Sequence, residues 1–316
     1  MKKIVLLVIL ITSLYSSNIK EPIAQFISTG AVTDIIYKDK KLYSATDASS
    51  VDIFDKDTKK IIKQIKVDQI TDFMGDVIDS KVYSVDLVDD KILVLSQAEK
   101  GARRVHIFKD EKLELLIPYT KKLFIAKAKF IDSNTIMLAL LSNEIISYDI
   151  QNRKENYRIQ ISQSKFSNFV LNEDKTEIII ADESGDLKIH NTKDGSFIKE
   201  LSGQNLDNVF QVDTKAGVIV TAGQDRRVVV YQEKFNSSYF KTANFLIYSV
   251  GLSPSGKLVG YASDENNNVT IFKTNTKSNI GTFGGNKMTL TKILFINENE
   301  FFVSSDDETI NLYKIK

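Results

Sequence analysis

The chain reads as short segments in which apolar and polar residues alternate, or in which apolar residues run unbroken for a few positions, between turn-forming clusters. Neither pattern has the spacing of a helix with one buried face, so strands are expected throughout. One strand recurs: VDIFD (51–55), VHIFK (105–109), IISYD (145–149), LKIHN (187–191), VVVYQ (228–232), VTIFK (269–273) and INLYK (310–314). Its fourth position holds Phe54, Phe108, Tyr148, His190, Tyr231, Phe272 and Tyr313, at successive spacings of 54, 40, 42, 41, 41 and 41 residues. Seven copies at a period near 41 mark a repeat architecture.

Each unit resolves into four strands. Between Asn208 and Phe245, NVFQVDT and VIVTAG precede the recurring strand, and SSYFKTANF follows it. Units of this size are the blades of a β-propeller, whose first strand lines a central channel and whose fourth lies at the rim. The expectation is therefore an all-β chain folded as a seven-bladed β-propeller of four-stranded blades. The seventh copy has no fourth strand after it. The segment 20–30, KEPIAQFISTG, contains one strand, Ile23 to Ser28, ahead of the first inner strand at 32–37. That strand is expected to pair with Thr309 to Lys314 and close the ring, because an unpaired sheet edge is an aggregation hazard.

The interval from Phe54 to Phe108 is 13 residues longer than the common 41. Most of the excess falls in VDQITDFMGDVIDSK (67–81) and a little in QAEKGARR (97–104). In a propeller, the loops from fourth to first strand and from second to third strand emerge on one face. The two insertions are thus expected side by side over the second blade. The longer carries Asp68, Asp72, Asp76 and Asp79 with Ile70, Phe73 and Met74; the shorter carries Lys100, Arg103 and Arg104. One reading is a partner-docking patch with a mobile apolar tip. The other is a local plug, with Phe73 turned inward and the charges neutralising one another. Tyr83, Phe210 and Tyr248 each follow the first apolar residue of an inner strand, near the channel mouth. Aromatics there suit partner recognition, or packing between adjacent blades. The candidate partner-binding residues are Phe73, Met74, Tyr83, Arg103, Arg104, Phe210 and Tyr248.

Charge is balanced, 42 basic against 41 acidic residues, which gives no footprint for nucleic acid or an anionic membrane. The absence of Cys removes disulfides, thiolate metal sites and cysteine nucleophiles. The two histidines, His106 and His190, both fall in third strands and cannot form a His-rich metal site. Asp86 and Asp213 hold equivalent inner-strand positions and are expected to face the channel. No catalytic constellation and no cofactor site is visible, so a non-catalytic protein is expected. A propeller enzyme of lactonase or lyase type, or a sensor that binds a ligand in the channel, are the alternatives. At the N-terminus, Lys2 and Lys3 precede an apolar run from Ile4 towards Leu14, and then YSSN. This is the pattern of a secretory signal peptide over 1–17, with the propeller over 18–316. The run is short for a bilayer span. A periplasmic location with no stable membrane anchor after cleavage is expected.

The turns LSPSGKL (252–258), ADESGDL (181–187), AGQDRRV (222–228) and SDDETI (305–310) resemble those of WD-repeat propellers. The chain departs from that family in having no Trp, and in placing Asp after the recurrent aromatic only at Asp55 and Asp149. The family's His-to-Asp network is therefore not carried over. Five stretches, at 71–86, 163–175, 182–186, 203–213 and 221–231, are similar to the periplasmic WD-repeat accessory proteins encoded beside periplasmic nitrate reductases. That resemblance implies a protein partner among nitrate reductase components, and a role in maturing or supporting a molybdenum- and haem-containing enzyme. It does not imply that this chain binds either group, and it transfers no site residues.

Overall fold

A computed structural model describes residues 19–316. The signal peptide expected over 1–17 lies outside the described residues. Seven four-stranded antiparallel sheets follow one another along the chain. Blade 1 consists of Val32–Lys38, Lys41–Thr46, Ser50–Asp55 and Ile61–Lys66. Blade 2 consists of Val82–Val88, Lys91–Gln97, Arg103–Lys109 and Lys112–Ile117. Blades 3, 4, 5 and 6 begin at the inner strands Ile125–Phe130, Phe166–Leu171, Val209–Lys215 and Val250–Leu252. Blade 7 takes three strands from the C-terminus, Leu290–Phe295, Glu300–Ser305 and Thr309–Lys314. Each inner strand touches the inner strands on both sides, so the blades form a closed ring, a seven-bladed β-propeller.

The ring is closed as the sequence predicts. Ala24–Ile27 is the fourth strand of blade 7, antiparallel to Thr309–Lys314, with Ala24 opposite Leu312 and Ile27 opposite Thr309. Flanking backbone bonds from Ile23 N to Leu312 O and from Ser28 N to Glu308 O extend the pairing to both ends of the predicted strand. Phe26 is fully buried and meets Phe54 of blade 1 and Phe302 of blade 7 edge-on, at 5.7 and 5.4 Å between ring centres. One side chain thus joins the two ends of the ring.

The core lies between blades. Phe54, Tyr148, His190, Tyr231, Phe272 and Tyr313, at the repeating aromatic position, are all buried. Tight turns suit the strand twist: Asp39–Lys40 and Asp110–Glu111 carry positive φ at both residues, the geometry of two-residue hairpin loops. Blades 6 and 7 approach so closely that a Cβ on Gly251 would sit 2.3 Å from the carbonyl oxygen of Ile293.

Six of the seven inner strands share an irregularity. The register with the second strand shifts between Val32 and Asp34, Val82 and Ser84, Ile125 and Lys127, Phe166 and Asn168, Val209 and Gln211, and Leu290 and Lys292. A bulge at one slot bends each strand and re-aims the residue it displaces. Tyr83 and Phe210 are two of the displaced residues, which explains their recurrence just after the first apolar position.

Candidate functional site

The longer insertion folds back on itself as a small hairpin, Ile70–Thr71 against Val77–Ile78. Its tip is held by Asp72, whose Oδ1 accepts from the backbone N–H groups of Met74 (2.8 Å) and Asp76 (3.0 Å). Gly75 adopts φ 93°, a backbone region open mainly to glycine, which lets the tip turn. The result is an internally bonded tip that presents Phe73, 95% exposed, and Met74, 75% exposed. The alternative in which Phe73 packs inward as a plug is thereby excluded. Arg104 donates to the backbone carbonyl of Asp68 at 2.7 Å, so the two insertions do meet on one face.

The arginines are turned towards the protein. The Arg103 guanidinium stacks over the Tyr83 ring at 4.1 Å and donates to the carbonyl of Ala102 at 3.1 Å. Both arginines are half-buried and hold the 97–104 loop against blade 2. Phe210 and Tyr248 stack on each other across blades 5 and 6, 5.2 Å apart and 17° from parallel. The seven sequence-predicted residues therefore form two groups. Phe73, Met74, Tyr83, Arg103 and Arg104 surround the start of blade 2, while Phe210 and Tyr248 lie three and four blades further round.

Sequence reasoning missed a wider feature. Large apolar residues exposed in loops between strands are Phe73, Met74, Tyr119, Phe124, Leu141, Leu206, Phe235, Phe245 and Met288. All but Phe235 lie in fourth-to-first or second-to-third loops, hence on the face that carries the insertions. Among the described residues, Phe235 alone falls in a third-to-fourth connection on the opposite face, where the turns are built from residues such as Asp39–Lys40, Asp110–Glu111 and Asn297–Asn299. The signal was available in the sequence for part of this set: Phe73 and Met74 stand beside Asp72, Gly75 and Asp76, and Leu206 stands between Asn205 and Asp207.

The channel is a second feature. It holds a cavity of about 480 Å³ lined by residues of all seven inner strands, Asp86 and Asp213 among them. The position just after the bulge is polar in all six bulged strands, Asp34, Ser84, Lys127, Asn168, Gln211 and Lys292, and Ser249 holds the matching place in blade 6. Side chains of this layer and of the layer two residues further on bind the free edges of neighbouring inner strands. Asp34 accepts from Val85 N at 3.2 Å, Asp86 from Phe130 N at 2.7 Å and Asp213 from Leu252 N at 2.8 Å. Lys127 donates to the carbonyl of Phe169 at 2.7 Å, and Lys129 to that of Val85 at 2.7 Å. A strand edge facing a channel has unpaired backbone groups, and these side chains satisfy them.

Charges pair on one side of the channel. Asp34 sits between Lys292 at 2.6 Å and Lys129 at 3.2 Å, and Lys129 is 3.9 Å from Asp86. Burial would raise the Asp34 pKa, but the ammonium groups of Lys129 and Lys292 outweigh it and hold the carboxyl well below its usual range. Lys127 differs. Burial, then repulsion from Lys129 and Lys292, pushes it down to about 7. Among the described residues, no cluster of three or more His, Asp or Glu side chains is arranged to hold a metal ion. No protein-family model matches the chain, and no match to a curated protein is found.

Proposed function

We propose that this chain is a non-catalytic scaffold that docks a protein partner on the face carrying the fourth-to-first-strand loops. The observation that carries the reading is the concentration of exposed loop-borne apolar side chains on that face, with Phe73 and Met74 at its most prominent point. Scattered exposed apolar residues need no explanation, but their segregation onto one face of a ring does. The hairpin tip is braced by its own hydrogen bonds, so little ordering cost opposes its insertion into a partner's pocket.

The finer reading follows the resemblance of the sequence. The chain acts in the periplasm after export, as an accessory or maturation protein for a periplasmic nitrate reductase or a similar redox enzyme, and the partner is a component of that enzyme. The test replaces residues 68–78 with a tight Gly-containing turn, verifies an unchanged melting temperature, and measures capture of the purified reductase components. The expected result is loss of capture, and lower periplasmic nitrate reductase activity in a strain carrying only the shortened protein. Full capture by the shortened protein would move the docking site off the hairpin. Normal reductase activity in a strain lacking the protein altogether would remove the partner assignment.

A further inference from the structure

Lys127 and Asp213 face the channel with no opposite charge bonded to them, as do Glu173, Lys175 and Lys215 in and beside the turns after the inner strands of blades 4 and 5. Lys127 Nζ donates to Asn168 Oδ1 at 2.8 Å and to the carbonyl of Phe169 at 2.7 Å, both uncharged acceptors. Asp213 accepts only backbone N–H groups, from Thr214 at 2.9 Å and Leu252 at 2.8 Å. An ammonium has three protons, so Lys127 retains one donor. Each Asp213 oxygen retains a lone pair. Because Asn168 Oδ1 faces the lysine, its amide Nδ2 is turned the other way, and no protein acceptor meets it among the described residues. Lys127, Asn168 and Asp213 all line the same cavity of about 480 Å³, a size usual for small-molecule sites. Lys127 and Asp213 are close enough for the carboxylate to act on the lysine's charge.

The layer two residues further along each strand adds apolar side chains on blades 1 and 7 and, across the ring, on blade 4. It contains Ile36, Val170 and Leu294 alongside Asp86, Lys129 and Asp213. The arc that already pairs its charges, Asp34 with Lys129 and Lys292, offers little to a ligand. The opposite arc offers a cation with an amide donor beside it, and a carboxylate on a neighbouring wall.

We propose that the channel binds a small zwitterion of the α-amino-acid class with an aliphatic side chain. Its carboxylate lies between Lys127 Nζ and Asn168 Nδ2, its ammonium meets Asp213, and its side chain packs towards Ile36, Val170 and Leu294. A ligand bearing only one of the two charges would leave either Lys127 or Asp213 without a counter-charge, and would bind less well.

The test is isothermal titration calorimetry on the full mature protein with L-valine and L-leucine. The same titrations use 4-methylpentanoate, which lacks the amine of leucine, and 3-methylbutylamine, which lacks its carboxylate. Saturable binding of at least one amino acid is expected, with both one-charge analogues at least tenfold weaker. Lys127→Met should abolish amino-acid binding, as should Asp213→Asn. Each variant loses a bond to a neighbouring blade, so a pH series on the unaltered protein provides an independent reading. The groups facing Lys127 are Lys129, Lys292, Asp34 and Asp213. Because the bound carboxylate requires the charged lysine, affinity should fall about tenfold from pH 6 to pH 8. No binding of either amino acid, or equal binding of 4-methylpentanoate, would each overturn the proposal.

Discussion

His106 shows how a single buried side chain writes a pH dependence into the whole protein. It lies buried in the third strand of blade 2, with no hydrogen-bond partner for Nδ1. Burial, and then the neighbouring Arg104 charge, push it down to about 4. The unfolded chain takes up this proton near pH 6.5, whereas the folded chain refuses it until about pH 4. Unfolding is therefore favoured by proton uptake inside that window, and stability rises with pH across it. The contribution is complete above pH 6.5 and is lost progressively as the pH falls to 4. Urea unfolding at pH 7 and pH 4.5 should differ by about 2–3 kcal/mol from this residue alone. His106→Gln should remove that part of the difference. An identical acid loss in the variant would show that His106 titrates normally. Asp34 acts at lower pH: its carboxyl is held below the usual range, so its stabilisation is present above that range and is lost below it.

At the scale of the element, the N-terminal strand joins the two ends of the ring. Ala24–Ile27 covers the edge of Thr309–Lys314, and Phe26 fills the space between blades 7 and 1. Phe26→Ala should cost about 3–5 kcal/mol, as expected for a large aromatic removed from a packed core. Deleting residues 18–29 should lower the melting temperature sharply and cause aggregation through the uncovered strand. A truncated protein that melts with the untruncated one would show that three strands suffice for blade 7. The hairpin at 70–78 is an element of the other kind. Its tip, Phe73 and Met74, is exposed while Ile70 at its base is buried, so removal of the tip should leave the fold intact.

At the scale of the molecule, the two faces of the propeller differ. Among the described residues, one carries eight exposed loop-borne apolar residues and the other carries Phe235. This asymmetry gives a paired prediction. Phe73→Ser with Met74→Ser should change stability by less than about 0.5 kcal/mol, as exposed substitutions do. The same pair should reduce capture of the purified reductase components by tenfold or more, since central apolar anchors dominate binding energy. Phe235→Ser on the opposite face should leave capture unchanged. Equal losses from the two variants would mean that partner binding does not follow the apolar face.

Strand content, the period near 41, the number of blades and the closing strand were all legible in the sequence. They depend on alternation, spacing and turn chemistry, which are local and repeat seven times. The aromatic position of the third strand was legible for the same reason, because every copy faces the same space between blades. Asp86 and Asp213 could be placed at the channel from their shared offset in the inner strand, and both line it. Exposure of Phe73 was not legible, because an insertion breaks the repeat and its packing has no second copy to compare. The channel's charge pairing was not legible either. Asp34 meets Lys129 and Lys292 across separations of 95 and 258 residues. Those contacts exist only once the ring has closed, when blade order and the shared bulge decide which side chains face one another. Repetition determines the blade; closure of the ring determines which charges are paired and which, like Lys127 and Asp213, are left facing the cavity.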